Sequence, residues 1–387
     1  MSQGLPDLSP QQQLSKPEFN GEWVKLGDLC GVCSGGTPKR SVSEYWNEGS
    51  IPWVKISDIS GKFVSSTEEL ITEAGLKGSS AKLLAPGTLL YSIFASIGAV
   101  GILKIPAATN QAIAGLSIKT DRIERDYLYH FLKSRESLAK SSGRGAAQNN
   151  INLTILRGME VPVPAIGEQK AIVEQLEIIA TQIKQAETQL DQLDSLVKSQ
   201  FVEMFGDPKS NPHGWDIGTI ETIAANLDAK RVPITQSDRE EGPYPYYGAT
   251  GAVDSVSGYI FDERLLLVSE DGANLLARTY PIAFSIFGKT WVNNHAHVLK
   301  VQNEETQVFL EKLINMMDIS EFITGSTQPK LTQKQLNQIP VMLPPMSLQR
   351  QFAEFVARVD KLGFDCCREI VCCGVLFSSM SASLLCT

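Results

Sequence analysis

The stretch from Met159 to Leu176, MEVPVPAIGEQKAIVEQL, returns about 180 residues later as IPVMLPPMSLQRQFAEFV, Ile339 to Val356. The match has no gap. Ile151 falls on Leu331, Leu156 on Leu336, Val161 on Val341, Pro164 on Pro344, Gln169 on Gln349, Ile172 on Phe352 and Glu174 on Glu354. It reaches back to Gly145 and Gln148, which fall on Gly325 and Gln328. A period of this size is that of a domain, far beyond the roughly 20 to 50 residues of solenoid repeats, so the chain is expected to hold two copies of one unit.

The repeat leads into a helix. From Ile172 the apolar residues run Ile172, Leu176, Ile179, Ile183, Ala186, Leu190, Leu193 and Val197, in alternating steps of four and three. Gln, Glu, Lys and Asp fill much of the remaining face, and no Pro or Gly interrupts Glu168 to Phe205. This is a heptad seam, and at ~1.5 Å per residue it spans roughly 55 Å, the length of a spacer. A narrow seam needs a second helix. The duplicate supplies one with Phe352, Val356 and Val359 in the same phase and Ser347 as its N-cap, so an antiparallel pair within one chain is the expected geometry. Pairing with a second chain is the competing one.

The globular parts repeat more loosely. EWVKLGDLCGVCSGGTPKR at Glu22 to Arg40 resembles GWDIGTIETIAANLDAKR at Gly214 to Arg231, with a Trp near the start and Lys-Arg at the end of a loop. TNQAIAGLSIK and NNHAHVLKV align so that Asn110 corresponds to Asn294. Short apolar runs such as GTLLYSIFASIGAVGIL and RLLLVSEDG read as strands, and each unit closes on a short helix. The fold class is therefore α+β: two similar domains in a tandem pseudo-repeat, separated by long coiled-coil-forming helices. Residues 1–19 read as a disordered tail, 20–164 as the first domain and 165–207 as the central helix. Residues 208–345 read as the second domain and 346–387 as the C-terminal helix.

Net charge is −8, but it is unevenly spread. Residues 15–160 carry 17 Lys and Arg against 14 Asp and Glu, whereas 208–345 carry 11 against 16, so charge alone neither supports nor excludes a nucleic acid. Only Cys30 and Cys33 of the seven cysteines lie before residue 366, which is no disulfide framework, and with no second pair nearby they read as small core residues. His295 and His297 alternate as on a strand and read as surface or packing residues; no metal site is expected. The carboxylate pairs at Glu68–Glu69 and Glu240–Glu241 read as solvated. The amino terminus lacks a basic start followed by an apolar run, so a cytoplasmic location is expected.

The ordered set of LGD, SGGTPKR, IPWVKISDI, NQA, INLTIL, VPVP, EQ and FVEMFGDP, with its second copy, resembles the specificity subunit of type I restriction-modification systems over about residues 20–362. The resemblance implies two target-recognition domains, each reading one half of a split, asymmetric DNA site, with two paired helices as the ruler between them. It implies no catalytic centre and no cofactor on this chain. Methyltransferase subunits would dock on the helices and transfer methyl from S-adenosylmethionine to adenine N6. A motor-nuclease subunit would cut unmodified DNA using ATP and Mg. The chain carries no Gly-x-x-x-x-Gly-Lys-Ser/Thr, His-Glu-x-x-His or Asn/Asp-Pro-Pro-aromatic motif, in keeping with that.

Candidate DNA contacts follow from side-chain chemistry: Arg and Lys suit guanine O6/N7 or phosphate, Asn and Gln suit adenine N6/N7. They are Thr37, Lys39, Arg40, Arg144, Gln148 and Asn149 in the first unit. In the second they are Lys230, Arg231, Tyr246, Tyr247, Asn293, Asn294, His295, Gln328 and Lys330. The bland reading of each is a solvated surface residue, or an Asn that satisfies backbone. After about residue 362 the second helix departs from pattern: GFDCCREIVCCGVLFSSMSASLLCT has five cysteines and no charge after Glu369. The seam continues on paper through Cys366, Ile370, Cys373, Phe377, Met380 and Leu384. The poor helix formers outside it suggest a frameshifted or recombined end and a partly unzipped pair. Two other functions stay open: a stand-alone DNA-binding decoy, and a coiled-coil scaffold with no DNA role.

Overall fold

The computed structural model describes residues 21–94, 98–142, 151–325 and 327–384, the side chains of 136–142 and 375–384 excepted. The chain divides into two compact units, residues up to 185 with those from 369 onward, and residues 186–368.

In the first unit β1 (Trp23–Lys25) leads through a turn of helix, α1 (Leu26–Leu29), into β2 (Cys30–Ser34). Then come β3 (Ile51–Val54), β4 (Phe63–Val64), β5 (Glu69–Ile71), α2 (Glu73–Lys77), β6 (Leu89–Ser92), β7 (Val100–Leu103), β8 (Ala108–Thr109) and β9 (Ile113–Ile118). The helices α3 (Arg125–Ser142) and α4 (Leu153–Arg157), the strand β10 (Glu160–Pro162) and the long α5 (Ile166–Phe205) complete the sequence. The main sheet has the order β2-β9-β6-β7-β4, a second has β5-β3-β8, and β1 pairs with β10. All four residues of β6 and all four of β7 are buried, which is why these strands read as unbroken apolar runs. Tyr127, Leu128, Phe131 and Leu132 of α3 join the same core. Lys62 reaches both Asp126 of α3 (2.8 Å) and Glu177 of α5, tying the domain to its helix.

The second unit repeats the core of this arrangement, with a helix after the strand equivalent to β6 where the first unit has one before β6. It comprises β11 (Ile217–Thr219), α6 (Ile220–Ile223), β12 (Ala224–Asn226), β13 (Tyr244–Gly248), β14 (Gly251–Val256), β15 (Phe261–Asp262), β16 (Leu265–Ser269) and α7 (Asn274–Ala277). It continues with β17 (Ala283–Ile286), β18 (Lys289–Val292), β19 (Ala296–Val301), α8 (Glu304–Met316), α9 (Gln333–Asn337), β20 (Pro340–Met342) and α10 (Met346–Leu384). Its sheets run β12-β19-β16-β17, β14-β13-β18-β15 and β11-β20.

Strand register makes the units equivalent residue by residue. Cys30 pairs with Ile118 as Ala224 pairs with Val301; Ser92 pairs with Ile113 as Ser269 pairs with Ala296. This register corrects three matches made from sequence. Trp23 opposes Pro162 as Ile217 opposes Met342, so Trp23 is equivalent to Ile217 and not to Trp215. Counted along the same strands, Arg231 stands at the place of Thr37, not of Arg40. The counterpart of Asn110 is Asn293, because each follows a strand paired in parallel, Val54 with Thr109 and Tyr247 with Val292. A ladder conserves the position of a residue, not its letter, and matching by letter slipped at all three places.

The repeated passage has a structural reason. The Gln169 side chain accepts from the Glu124 N–H (2.8 Å) and donates to the Arg122 and Pro164 carbonyls (2.9 and 2.8 Å). Gln349 likewise donates to the Pro344 carbonyl (2.7 Å) and accepts from Thr306 at the start of α8 (2.8 Å). Each buried glutamine staples the VPVP or LPP turn and the start of a long helix to the preceding domain. Helix α10 begins at Met346, its first N–H groups donating to the Pro345 carbonyl, so Ser347 lies in the first turn and is not the N-cap.

Along α5 every seam residue is buried or half-buried. In the second unit the seam extends to Phe201 and Phe205, which pack with Phe309 and Phe352 at centroid distances of 4.9–5.5 Å. Phe352 meets Phe201 and Phe205, while Gly363 faces Leu190 and Leu193, so the two helices run antiparallel there within one chain. In the first unit Cys373 of α10 approaches Gln182 (3.8 Å). The expected unzipping after residue 362 is corrected: α10 stays helical to Leu384, with Cys366 and Ile370 half-buried and Cys373 8% exposed. Cysteine packs as a small hydrophobe, so the seam survives the change of composition. Among the described residues no helix is long and apolar enough to cross a membrane.

Candidate nucleic-acid interface

In the first unit the Gly-Gly loop is set by close approach. A Cβ on Gly35 would fall 2.2 Å from the Asn110 carbonyl, and one on Gly36 2.4 Å from the Ala81 nitrogen, so only glycine lets this loop lie against its neighbours. Their N–H groups donate to Ile113 and Thr109. The loop then presents three exposed side chains. Thr37 bonds Gln111, Lys39 points outward, and the Arg40 guanidinium lies 3.7 Å over the Trp46 ring. Trp46 and Trp53 hold the loop by donating to the Lys39 and Gly36 carbonyls (3.3 and 3.0 Å). Arg40 also pairs with Glu69, which pairs with Lys55 (2.8 Å), and Glu68 pairs with Lys55 too (2.6 Å). The Glu68–Glu69 pair is therefore engaged, not simply solvated. The Arg40 hydrogen bond comes first among the causes that hold the Glu69 carboxyl below its ordinary value.

In the second unit the loops 228–231 and 293–295 and the segment 327–331 converge on the end of β16. The His297 ring is 1% exposed. Its Nδ1 lies 2.6 Å from Asp228 Oδ2 and its Nε2 2.8 Å from the Leu331 carbonyl. Both partners present acceptor oxygens to the ring. Asp228 Oδ1 takes the Val298 N–H (2.8 Å). Arg231 reaches Glu270 (2.6 Å) and the Ala296 carbonyl (2.8 Å), and Lys330 reaches the other Glu270 oxygen (3.1 Å). Burial raises the Asp228 pKa, but the His297 hydrogen bond and charge, the Val298 N–H and Arg231 outweigh it and leave it below the ordinary range. The Glu270 pKa ends up lowered in the same way, burial being outweighed by Arg231, His297 and Lys330.

Asp228, Glu270 and His297 bring three ligand-type atoms within 4.8 Å of one another. The arrangement does not suit a metal. Two ligands at about 2.1 Å from one ion stand about 3 Å or more apart, wider than the 2.6 Å found here, and Arg231 and Lys330 already supply the positive charge.

The candidates thus divide. Thr37, Lys39, Arg40, Lys230, Asn294, His295, Gln328 and Lys330 are exposed at the loop ends. Tyr246 is 1% exposed and its hydroxyl meets Ile234; Asn293 is 6% exposed; Arg231 is spent on the network; Tyr247 is half-buried beside Phe284. The bland reading holds for Asn110 and Asn293, whose side-chain oxygens accept the Ala112 and His295 N–H groups (3.0 and 2.8 Å). Arg144, Gln148 and Asn149 lie outside the described residues. Sequence reasoning missed Gln111, Asp228, Glu270 and Asp271. The carboxylates after LLLVS, set against the alternating histidines, were the available signal. Cys30 is a core residue as expected, burial pushing its thiol up to about 12 against the opposing pull of Lys119, and Cys33 bonds the Gly115 carbonyl.

The family described as type I restriction modification DNA specificity domain matches the chain twice, over residues 20–194 and 212–368. The chain belongs to the type I restriction-modification specificity family. Its two matched segments carry the two copies of the frame. Among curated relatives, the type I restriction enzyme MjaIX specificity subunit of Methanocaldococcus jannaschii is 25% identical over 372 residues, 86% of this chain and 85% of that one. The EcoR124I/EcoR124II specificity subunit of Escherichia coli is 34% identical over 172 residues, 43% of this chain and 42% of that one. In fold, the chain resembles the crystal structure of the type I S subunit from M. genitalium, with a TM-score of 0.54 at 16% identity over 96% of this chain and 99% of that one. A structure of a type I system solved for its complex assembly and conformational transition gives 0.57 at 16% identity, over 95% and 98%. This specificity subunit is thus a DNA-binding component of a restriction-modification system, built from two target-recognition domains.

Proposed function

We propose that each unit reads one half of a bipartite, asymmetric DNA site, that the helices α5 and α10 set the spacing, and that adenine-N6 methyltransferase subunits dock on them. The observation that carries this reading is the pairing of one β frame, equivalent to the residue, with two unlike sets of loop side chains. Thr37, Lys39, Arg40 and Gln111 stand in one unit, and Lys230, Asn294, His295 and Lys330 in the other. Two different readers on one frame suit an asymmetric site, and two short readouts at fixed spacing give a rarity that one cannot. On this reading the chain does no chemistry: methyl transfer from S-adenosylmethionine and ATP-driven cleavage belong to the partner subunits, and the location is cytoplasmic.

The test is a genome-wide map of N6-methyladenine in the native host, with and without the gene. Loss of one split motif, two short half-sites around a fixed gap, is the expected result. A lengthening of α5 and α10 by matched heptads should widen the gap and keep both half-sites. An unchanged map, together with full-chain DNA affinity that does not fall with salt, would sink the reading in favour of a scaffold.

A further inference from the structure

The two frames differ sharply at one point of the loop before the last central strand. Ala112 of the first unit stands where the second has His295, and Phe94 stands where it has Asp271. The backbone is the same in both: the Ile93 N–H donates to the Ala112 carbonyl (2.8 Å), and the Glu270 N–H to the His295 carbonyl (2.9 Å). Asn293 fixes the turn by accepting the His295 N–H (2.8 Å). His295 is thus pinned through its own main chain, while its side chain stays 50% exposed.

Its ring is pinned as well. Nδ1 lies 3.0 and 2.9 Å from the two Asp271 oxygens. A carboxylate only accepts, so Nδ1 carries the proton. Among the described residues no hydrogen bond is made to Nε2. Asp271 is 18% exposed, and its main chain is held by a bridge to Lys330, with the next N–H, that of Gly272, donating to the Pro329 carbonyl (3.1 Å). The bond at one ring nitrogen decides what the other offers.

We infer that His295 is a specificity-determining residue of the second unit and Asp271 its positioning residue, the pair presenting the Nε2 lone pair to an exocyclic amino group on a major-groove base edge. The groups of that chemistry are adenine N6 and cytosine N4. In the form with its proton on Nδ1 alone, the ring has none to give a phosphate through Nε2, and it is in this form that it suits the base edge and not the backbone. Lys330, held at 3.1 Å from Glu270 and half-exposed, stands beside it as the phosphate contact. The inference rests on the reading that this unit recognises a DNA half-site.

The test is selection by the full chain from a DNA library with both half-sites randomised, comparing the parent protein with His295→Ala, His295→Gln and Asp271→Asn. The parent should enrich an adenine or a cytosine at one position, which tells the two sources of the amino group apart. His295→Ala should lower that preference by about 5- to 100-fold and leave other positions alone. His295→Gln, whose amide oxygen still accepts, should retain part of it. Asp271→Asn, which can donate to Nδ1, should turn the preference toward guanine, and 15N shifts of the His295 ring in the free protein should move from the Nδ1–H to the Nε2–H form. A merely structural role would leave those shifts in place. Selection of an unchanged half-site by His295→Ala overturns the inference alone, as does loss confined to a guanine or thymine. A parent chain that enriches no sequence overturns the DNA reading itself.

Discussion

At the loop end of the shared frame the first unit holds Ser34, Ile93 and Ala114 where the second holds Asp228, Glu270 and His297. Ile93 and Ala114 are 3% and 0% exposed and pack into the apolar core; His297 and Asp228 are buried and Glu270 part-buried, and the three are satisfied by one another, by Arg231 and by Lys330. The same backbone is thus closed once by apolar contact and once by charge. The difference teaches that the frame's stability resides in the strands and the helix staple, which leaves the loop end free to change chemistry. It also predicts unequal responses to mutation. His297→Ala leaves Asp228 and Glu270 buried beside an empty place, and should cost about 3–5 kcal/mol in the second unit. Asp228→Ser, Arg231→Thr, Glu270→Ile and His297→Ala together install the first unit's residues, and should cost much less than the single change, since a packed apolar replacement of a buried ion cluster is often neutral. Urea unfolding of the full chain checks both. A quadruple variant as unstable as His297→Ala would break the equivalence of the frames.

A second contrast lies under the long helices. Phe352 sits in a cluster of four phenylalanines, while its counterpart Ile172, in the core of the first unit, brings no ring of its own. Phe352→Ala should cost about 3–5 kcal/mol, and Ile172→Ala less, by roughly the 0.5–1.5 kcal/mol that aromatic pairing adds. Hydrogen exchange resolved by unit would separate the two losses. Equal losses would mean that the aromatic cluster contributes no more than its area.

These contrasts also mark what was legible in the sequence. The seam from Ile172 to Val197 and the gapless repeat around Gln169 and Gln349 were legible, because helix period and a conserved staple both leave a local signature. The α+β class followed from runs such as LLLVS. The placement of Asn110 against Asn293, and of Thr37 against Arg231, was not legible, since a sheet's register is set by hydrogen bonds between distant segments. The ion cluster stayed hidden for the same reason: Asp228, Glu270 and His297 lie on three different segments, and nothing near any one of them names the others. The unzipping expected after residue 362 does not occur, because the seam that Cys366, Ile370 and Cys373 keep in phase outweighs the poor propensity of the outer face.

Where the units agree, their responses should agree. Gln169→Leu and Gln349→Leu each strand buried partners, the Pro164 and Pro344 carbonyls in particular, and each should cost about 1–3 kcal/mol. Thermal unfolding of the two single variants and the double would check this, with near-additive losses expected for staples so far apart in the chain. A loss at one glutamine only would show that the repeated passage had kept its letters but lost its role in one copy.

The smallest effect should appear on acidification. Asp228 and Glu270 have native pKa values below their ordinary ones, burial being outweighed by His297 and Arg231. A carboxylate lowered in this way contributes stability that is complete above its ordinary value of about 4, and that stability is lost as pH falls through the lowered native value. Ser34, Ile93 and Ala114 do not titrate, so the first unit's loop end has no such dependence. The Val298 N–H, which donates to Asp228, should therefore lose hydrogen-exchange protection below about pH 4, after correction for the intrinsic rate, before its counterpart at Gly115 does. Carboxylates elsewhere in the first unit, Asp126 and Glu177 among them, are lowered too, so both units soften in acid and only the order at the two loop ends discriminates. Simultaneous loss at Val298 and Gly115 would mean that acid acts on the frame as a whole, and that the ionic closure of the second unit is no weaker than the apolar closure of the first.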